Sequence, residues 1–91
     1  MKEYKATVLN FGAAWCHDWY LQIEVLQAIE RELRTPVKFL NVDVDNCPLL
    51  AIKYDIKELP TIVILHNEKI KKIITSTQKK EKIFDEIKKV L

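Results

Sequence analysis

The stretch Val8-Leu9-Asn10-Phe11-Gly12-Ala13-Ala14-Trp15-Cys16-His17-Asp18-Trp19 decides how the chain is read. Its first half belongs to a strand expected over residues 4–11, apolar on both faces toward its end, the pattern of a strand flanked within a sheet. Gly12-Ala13-Ala14 makes a tight exit from that strand. From His17 to Arg34 the apolar period is that of a helix. Trp19, Ile23, Leu26, Ile29 and Leu33 share one stripe, widened by Val25, while Glu24, Gln27, Arg31 and Arg34 lie mostly off it. Asp18 suits the positive end of the helix dipole. Thr35-Pro36 ends the helix, because the residue before a proline avoids the α region. Cys16 therefore stands where a strand hands over to a helix N-terminus. Unpaired N–H groups and the helix dipole favour a thiolate in such a place, and the thiolate is the attacking species in thiol–disulfide exchange.

Outward from this junction, Val37 to Val44 reads as a second strand. A turn follows at Asp45-Asn46-Cys47-Pro48, and Pro48 suits the first turn of a short helix reaching Tyr54. Thr61 to Leu65 is a third strand, apolar on both faces. Because proline cannot donate in the middle of a sheet, Leu59-Pro60-Thr61 predicts a special turn, with a cis peptide bond as a candidate. His66 to Lys69 makes a hairpin turn into a fourth strand, Ile70 to Thr75. From about Gln78 onward, Ile83, Phe84, Ile87, Val90 and Leu91 mark an amphipathic helix, with Thr77 as its N-cap. The order is β-α-β-α-β-β-α. The first helix crosses between parallel strands by a right-handed connection, and the short link at Asn67–Lys69 demands an antiparallel pair. An α/β domain follows, with a four-stranded mixed sheet and helices on both faces. Residues 1–91 make a single domain.

A composition of 48% hydrophobic and 31% charged residues excludes intrinsic disorder, and a single glycine excludes collagen-like chains. The net charge of +2 is unevenly spread: eight lysines stand against three acids from Lys69 onward. The one aromatic among these lysines, Phe84, belongs to the apolar stripe of the last helix, so the lysines read as solvated outer faces and no nucleic-acid partner is expected. No apolar run approaches the ~20 residues of a membrane span. The N-terminal residues lack a signal-peptide pattern, and two cysteines are too few for a disulfide framework. A cytoplasmic, reducing setting is the expectation.

Over nearly its whole length the chain resembles the thioredoxin family. The matching pieces are Val8 to Cys16, Val42-Asp43-Val44-Asp45-Asn46-Cys47-Pro48, Lys53-Tyr54-Asp55-Ile56 and Leu59-Pro60-Thr61. The resemblance implies the thioredoxin fold, an attacking cysteine at Cys16 and a cis-proline at Pro60 beside it. It also implies that the Leu59 backbone pairs with a substrate peptide as an added strand, with Trp15 and His17 flanking the same groove. The chain departs from the family's Trp-Cys-x-x-Cys motif, because Trp19 holds the second cysteine position. The family's buried acid aligns with Asn10, its aromatic on the same strand with Gly12, and its helix-kinking proline with Glu24. Without a resolving thiol there is nothing for a buried acid to deprotonate. The first strand and helix of full thioredoxins have no counterpart here.

These residues imply a single-cysteine thiol–disulfide oxidoreductase taking a protein or low-molecular-weight thiol or disulfide as partner, working in cell redox homeostasis. The alternative from another class is a non-catalytic thioredoxin-fold module that binds an extended segment without covalent chemistry. Cys47 is a candidate remote redox partner, although its loop is expected to lie beyond the ~6 Å Cα separation of a disulfide. No metal site is expected, since Cys16, Cys47, His17 and His66 show no ligand spacing. An iron–sulfur cluster shared between chains would call for the Gly-Phe-Ser continuation of single-cysteine glutaredoxins, which is absent. No cofactor and no membrane partner are expected, and the chain is read as a monomer or weak dimer. Trp19 is expected to be buried as a plug beneath the Cys16 turn.

Overall fold

The computed structural model describes residues 3–91; Met1 and Lys2, part of the N-terminus read above, lie outside them. The chain runs β1 (Ala6–Gly12), α1 (His17–Glu32), β2 (Val37–Asp43), α2 (Pro48–Lys53), β3 (Thr61–His66), β4 (Lys69–Thr75) and α3 (Lys80–Val90). The sheet order is β2-β1-β3-β4. β1 is parallel to β2, and β3 is antiparallel to both β1 and β4. The expected order and mixed sheet are therefore present.

Side-chain alternation sorts the core into two layers. Ala6 and Val8 of β1 join Ile62 and Ile64 of β3 on one face, beneath Leu26 and Ile29 of α1 and Ile83 and Ile87 of α3. Leu9 and Phe11 join Val63 and Leu65 on the other face, covered by Val44, Tyr54, Ile56 and Leu59. The helical cover is unequal: α1 and α3 bury apolar stripes, whereas α2 buries none of its six residues.

Several boundaries differ from expectation. β1 begins at Ala6, and Tyr4 is exposed. α1 ends at Glu32, because Leu33 is already extended at its C-cap. α3 begins at Lys80 with Lys79 at the N-cap and no side-chain capping bond, so Thr77 is not the cap. The hairpin takes positive φ at Asn67 (52°) and Glu68 (66°), as a type I′ turn requires, without a glycine. A register irregularity between Ile64 and Leu65 follows in the β3–β4 pair.

One buried carboxylate ties α3 to the sheet. Glu86 bonds Lys89 on its own helix and Lys72 on β4, each at 3.2 Å. These hydrogen bonds, first from Lys89 and then from Lys72, hold its carboxyl below the ordinary value of 4.5 against the opposing effect of burial. A native value below the unfolded one means that the stabilisation is present above about pH 4.5 and is lost as pH falls through the native value. We predict that Glu86→Gln lowers the denaturation midpoint at neutral pH. The gap from the parent protein should close as the solution is acidified below pH 4.5. A gap that stays constant down to pH 2 would refute the assignment.

Candidate functional site

Cys16 occupies the N-cap of α1 with an extended backbone, and its side chain makes no capping bond. Its N–H donates to the Ala13 carbonyl at 2.9 Å, and its own carbonyl accepts from the Trp19 N–H at 3.1 Å. The turn is therefore fixed by backbone while the thiol is left partly exposed and free. His17 and Asp18 are exposed first-turn residues, and among the described residues no polar partner holds either side chain.

Three aromatic side chains brace the turn. Trp15 is 71% exposed, yet its indole N–H donates to Asp45 Oδ2 at 3.1 Å, linking the turn to the loop after β2. Tyr20 packs at a tilt against Trp19, with ring centroids 5.4 Å apart and planes inclined by 54°, and donates its hydroxyl to the Ala14 carbonyl at 3.3 Å. Trp19 is buried, and its indole N–H donates to the Asn10 carbonyl at 3.1 Å. The indole lies directly against Gly12, where a Cβ would come within 2.0 Å of the Trp19 ring. The Trp19 ring fills the space that any side chain at position 12 would need.

Beneath Trp19 lies a neutral polar cluster. Asn10 and Gln22 are both fully buried, with Gln22 Nε2 at 3.5 Å from Asn10 Oδ1 and Asn10 Nδ2 donating to Asn41 Oδ1 at 3.2 Å. Among the described residues no buried side-chain nitrogen or oxygen lacks a partner. Gln22 was not read as a core residue, although its place three residues after Trp19 and four before Leu26 sets it on the buried face.

At the start of β3 the Leu59–Pro60 peptide is cis, and Pro60 is buried. The Thr61 hydroxyl donates to the Glu58 carbonyl at 2.6 Å and fixes the entry. No backbone hydrogen bond among the described residues engages Leu59. Thr61 pairs with Phe11, so Pro60 stands at the end of the sheet from which β1 leads into the Cys16 turn. Cys47 is exposed and free at the N-cap of α2. Asp45, which sequence reading passed over, joins the site through Trp15. No cluster of three or more potential metal ligands occurs among the described residues. No helix there is long and apolar enough to cross a membrane.

Cys16 follows the end of β1 beside which the cis Leu59–Pro60 bond leads into β3, and the thioredoxin family model matches the chain over residues 1–89. The chain belongs to the thioredoxin family. It is 30% identical over 82 residues to the thioredoxin of Rickettsia prowazekii, covering 90% of this chain and 78% of that one. It is 40% identical over 63 residues to thioredoxin 2 of Plasmodium berghei, covering 69% and 40%. Among solved structures, a malaria-parasite thioredoxin-2 superposes with a TM-score of 0.87 at 27% identity, covering 98% of this chain and 86% of that one. A mutant thioredoxin of Halobacterium salinarum superposes equally well, with a TM-score of 0.87 at 21% identity and coverage of 96% and 75%, which speaks to the fold. These likenesses place the chain among thioredoxin-like redox proteins.

The fit of Trp19 on Gly12 yields a stability prediction. Gly12→Ala should destabilise by ~1–3 kcal/mol through overpacking, and Trp19→Ala by ~3–5 kcal/mol through the cavity it leaves. In the double variant the penalty of the Gly12 change should shrink or vanish, because the clashing ring is gone. Denaturant melts of the four proteins measure this coupling; strict additivity would show that the two residues do not share a volume.

Proposed function

We propose that this chain is a thiol–disulfide oxidoreductase that works through one cysteine, Cys16, in cell redox homeostasis. The observation that carries the reading is the partly exposed, free thiol at the start of α1, with a buried indole in the place of a resolving cysteine one turn on. The Cys16 thiolate attacks one sulfur of a partner disulfide R–S–S–R′. The Cys16–S–S–R bond forms, the partner's S–S bond breaks, and R′S⁻ leaves and takes a proton from solvent. A low-molecular-weight thiol R″SH then attacks the Cys16 sulfur, after losing its own proton, and releases RS⁻. A second R″SH restores Cys16 as R″–S–S–R″ departs. Overall, one disulfide is reduced to two thiols and two R″SH are oxidised to one disulfide.

The groups around Cys16 have matching roles in this reading. Trp15, His17, Leu59 and Pro60 line the approach of an extended partner segment, and the unused N–H and carbonyl of Leu59 pair with its backbone. Cys47 takes no part in the first exchange and is available as a secondary redox partner. The partner is a soluble protein or small disulfide met in the cytoplasm, by a monomer or weak dimer.

Two substitutions test the reading. Cys16→Ser should abolish mixed-disulfide formation with a disulfide-bearing peptide, read by mass spectrometry, whereas Cys47→Ser should retain it. If Cys16→Ser still captures its partner non-covalently with unchanged affinity, the protein is a binding module and the thiol chemistry is refuted. Trp19→Cys should shorten the life of the mixed disulfide by supplying an internal resolving thiol, and insulin reduction should rise above that of the parent. A folded Trp19→Cys protein without gain in reductase rate would show that more than the second thiol is missing.

A further inference from the structure

Tyr20 lies off the buried face of α1, which is made by Trp19, Gln22, Leu26 and Ile29. It is 47% exposed, yet its hydroxyl has a fixed place. Side chains on a helix lean toward its N-terminus, and Tyr20 reaches back over the first turn of α1 to donate to the Ala14 carbonyl at 3.3 Å. The position of that carbonyl matters. The bond from the Cys16 N–H to the Ala13 carbonyl closes a four-residue turn, Ala13 to Cys16, whose central peptide joins Ala14 to Trp15. A bond across the ends of such a turn leaves the central peptide free to face either way, and type I and type II turns differ in that orientation. Trp15 avoids the positive φ that a type II turn would need. Among the described residues no backbone N–H reaches the Ala14 oxygen. The Tyr20 hydroxyl is therefore the protein group that holds the central peptide of the turn leading into Cys16.

We propose that Tyr20 is a positioning residue for the exchange at Cys16: by holding the Ala14–Trp15 peptide it keeps Trp15 in place beside the thiol. This rests on the single-cysteine reading of Cys16 and adds a residue that acts through Trp15. Trp15 is 71% exposed, so packing alone does little to fix it. Its side chain is held at one end, by the bond from its indole N–H to Asp45 Oδ2 at 3.1 Å. Its backbone is held at the other, by Tyr20 through the Ala14 carbonyl. Turning the Ala14–Trp15 peptide changes φ of Trp15 and swings the indole off Asp45. The two restraints therefore act in series, and the indole keeps its place only while both hold. Tyr20 is seated for this role. Its ring packs at 5.4 Å against that of Trp19, whose indole N–H is bonded to the Asn10 carbonyl. A line of support thus runs from the central strand through Trp19 and Tyr20 to Trp15. A single bond of this length on a half-exposed hydroxyl is a modest restraint, and its loss is expected to change a rate a few-fold.

The test is Tyr20→Phe, which keeps the ring against Trp19 and removes the hydroxyl alone. Two rates are measured at Cys16: exchange with a synthetic peptide closed by one disulfide, and alkylation by iodoacetamide, which is too small to need Trp15 as a wall. The ratio of the peptide rate to the alkylation rate should fall about threefold in the variant. The indole N–H resonance of Trp15 should shift and exchange faster with water, while that of Trp19 stays where it is. Asp45→Ala should lower the same rate ratio. The double variant should be no worse than the more damaging single one, because restraints in series are not lost twice. An unchanged ratio with an unmoved Trp15 resonance overturns the positioning role and leaves the thiol reading intact. A Trp19 resonance that moves along with that of Trp15 overturns it in favour of general packing of α1. Losses that multiply in the double variant show independent roles and overturn the serial restraint. A parent Cys16 that is alkylated but inert toward the disulfide peptide overturns the thiol reading itself, and the role of Tyr20 falls with it.

Discussion

The contact between the Trp19 indole and Gly12 governs the rest of the site. It pins the first turn of α1 to the central strand through a ring that no side chain at position 12 would admit. The indole N–H adds a directional bond to the Asn10 carbonyl, so the helix is fixed in depth as well as direction. Cys16 is placed by that anchor, because its carbonyl closes the first backbone bond of the turn on the Trp19 N–H. Tyr20 and Trp15 then brace the segment outside the core, one to Ala14 and one to Asp45.

A polar cluster lies beneath the anchor. The two side chains buried below the indole, Asn10 and Gln22, are both neutral amides. Buried amides are tolerated only when their donors and acceptors are matched. Here Asn10 reaches Gln22 in one direction and Asn41 in the other. The buried titratable side chain of the described core is Glu86, and it serves the α3–β4 packing through Lys89 and Lys72. Acid sensitivity from this group and the chemistry at Cys16 therefore arise in different parts of the structure.

Much of this was legible in the sequence because the strongest signals are periodic. The apolar runs at Val8–Phe11 and Thr61–Leu65 announced two central strands, and both are buried. The strand-to-helix cysteine and Leu59-Pro60 announced the site. What could not be read was set by tertiary partners. Thr77 has the chemistry of a cap, but the chain enters α3 through Lys79. Gln22 looks like a surface residue until Asn10 is placed opposite it. Asp45 looks like an ordinary turn aspartate until Trp15 folds over to it. Leu49 and Ile52 were read only as part of a short helix, because sequence gives the helix and not the side that faces the sheet.

The two faces of the sheet are closed by unequal amounts of burial. α1 and α3 carry the continuous apolar stripes and close one face, so most of the burial that holds the fold together lies there. The other face is closed by isolated side chains of the β2–β3 connection, of which α2 is the middle. A segment that contributes little burial can change its outward residues at small cost to folding. The same segment leads out of the loop that holds Trp15. Outward residues of α2 can therefore vary while the Trp19–Gly12 anchor, on which the geometry of Cys16 depends, stays fixed.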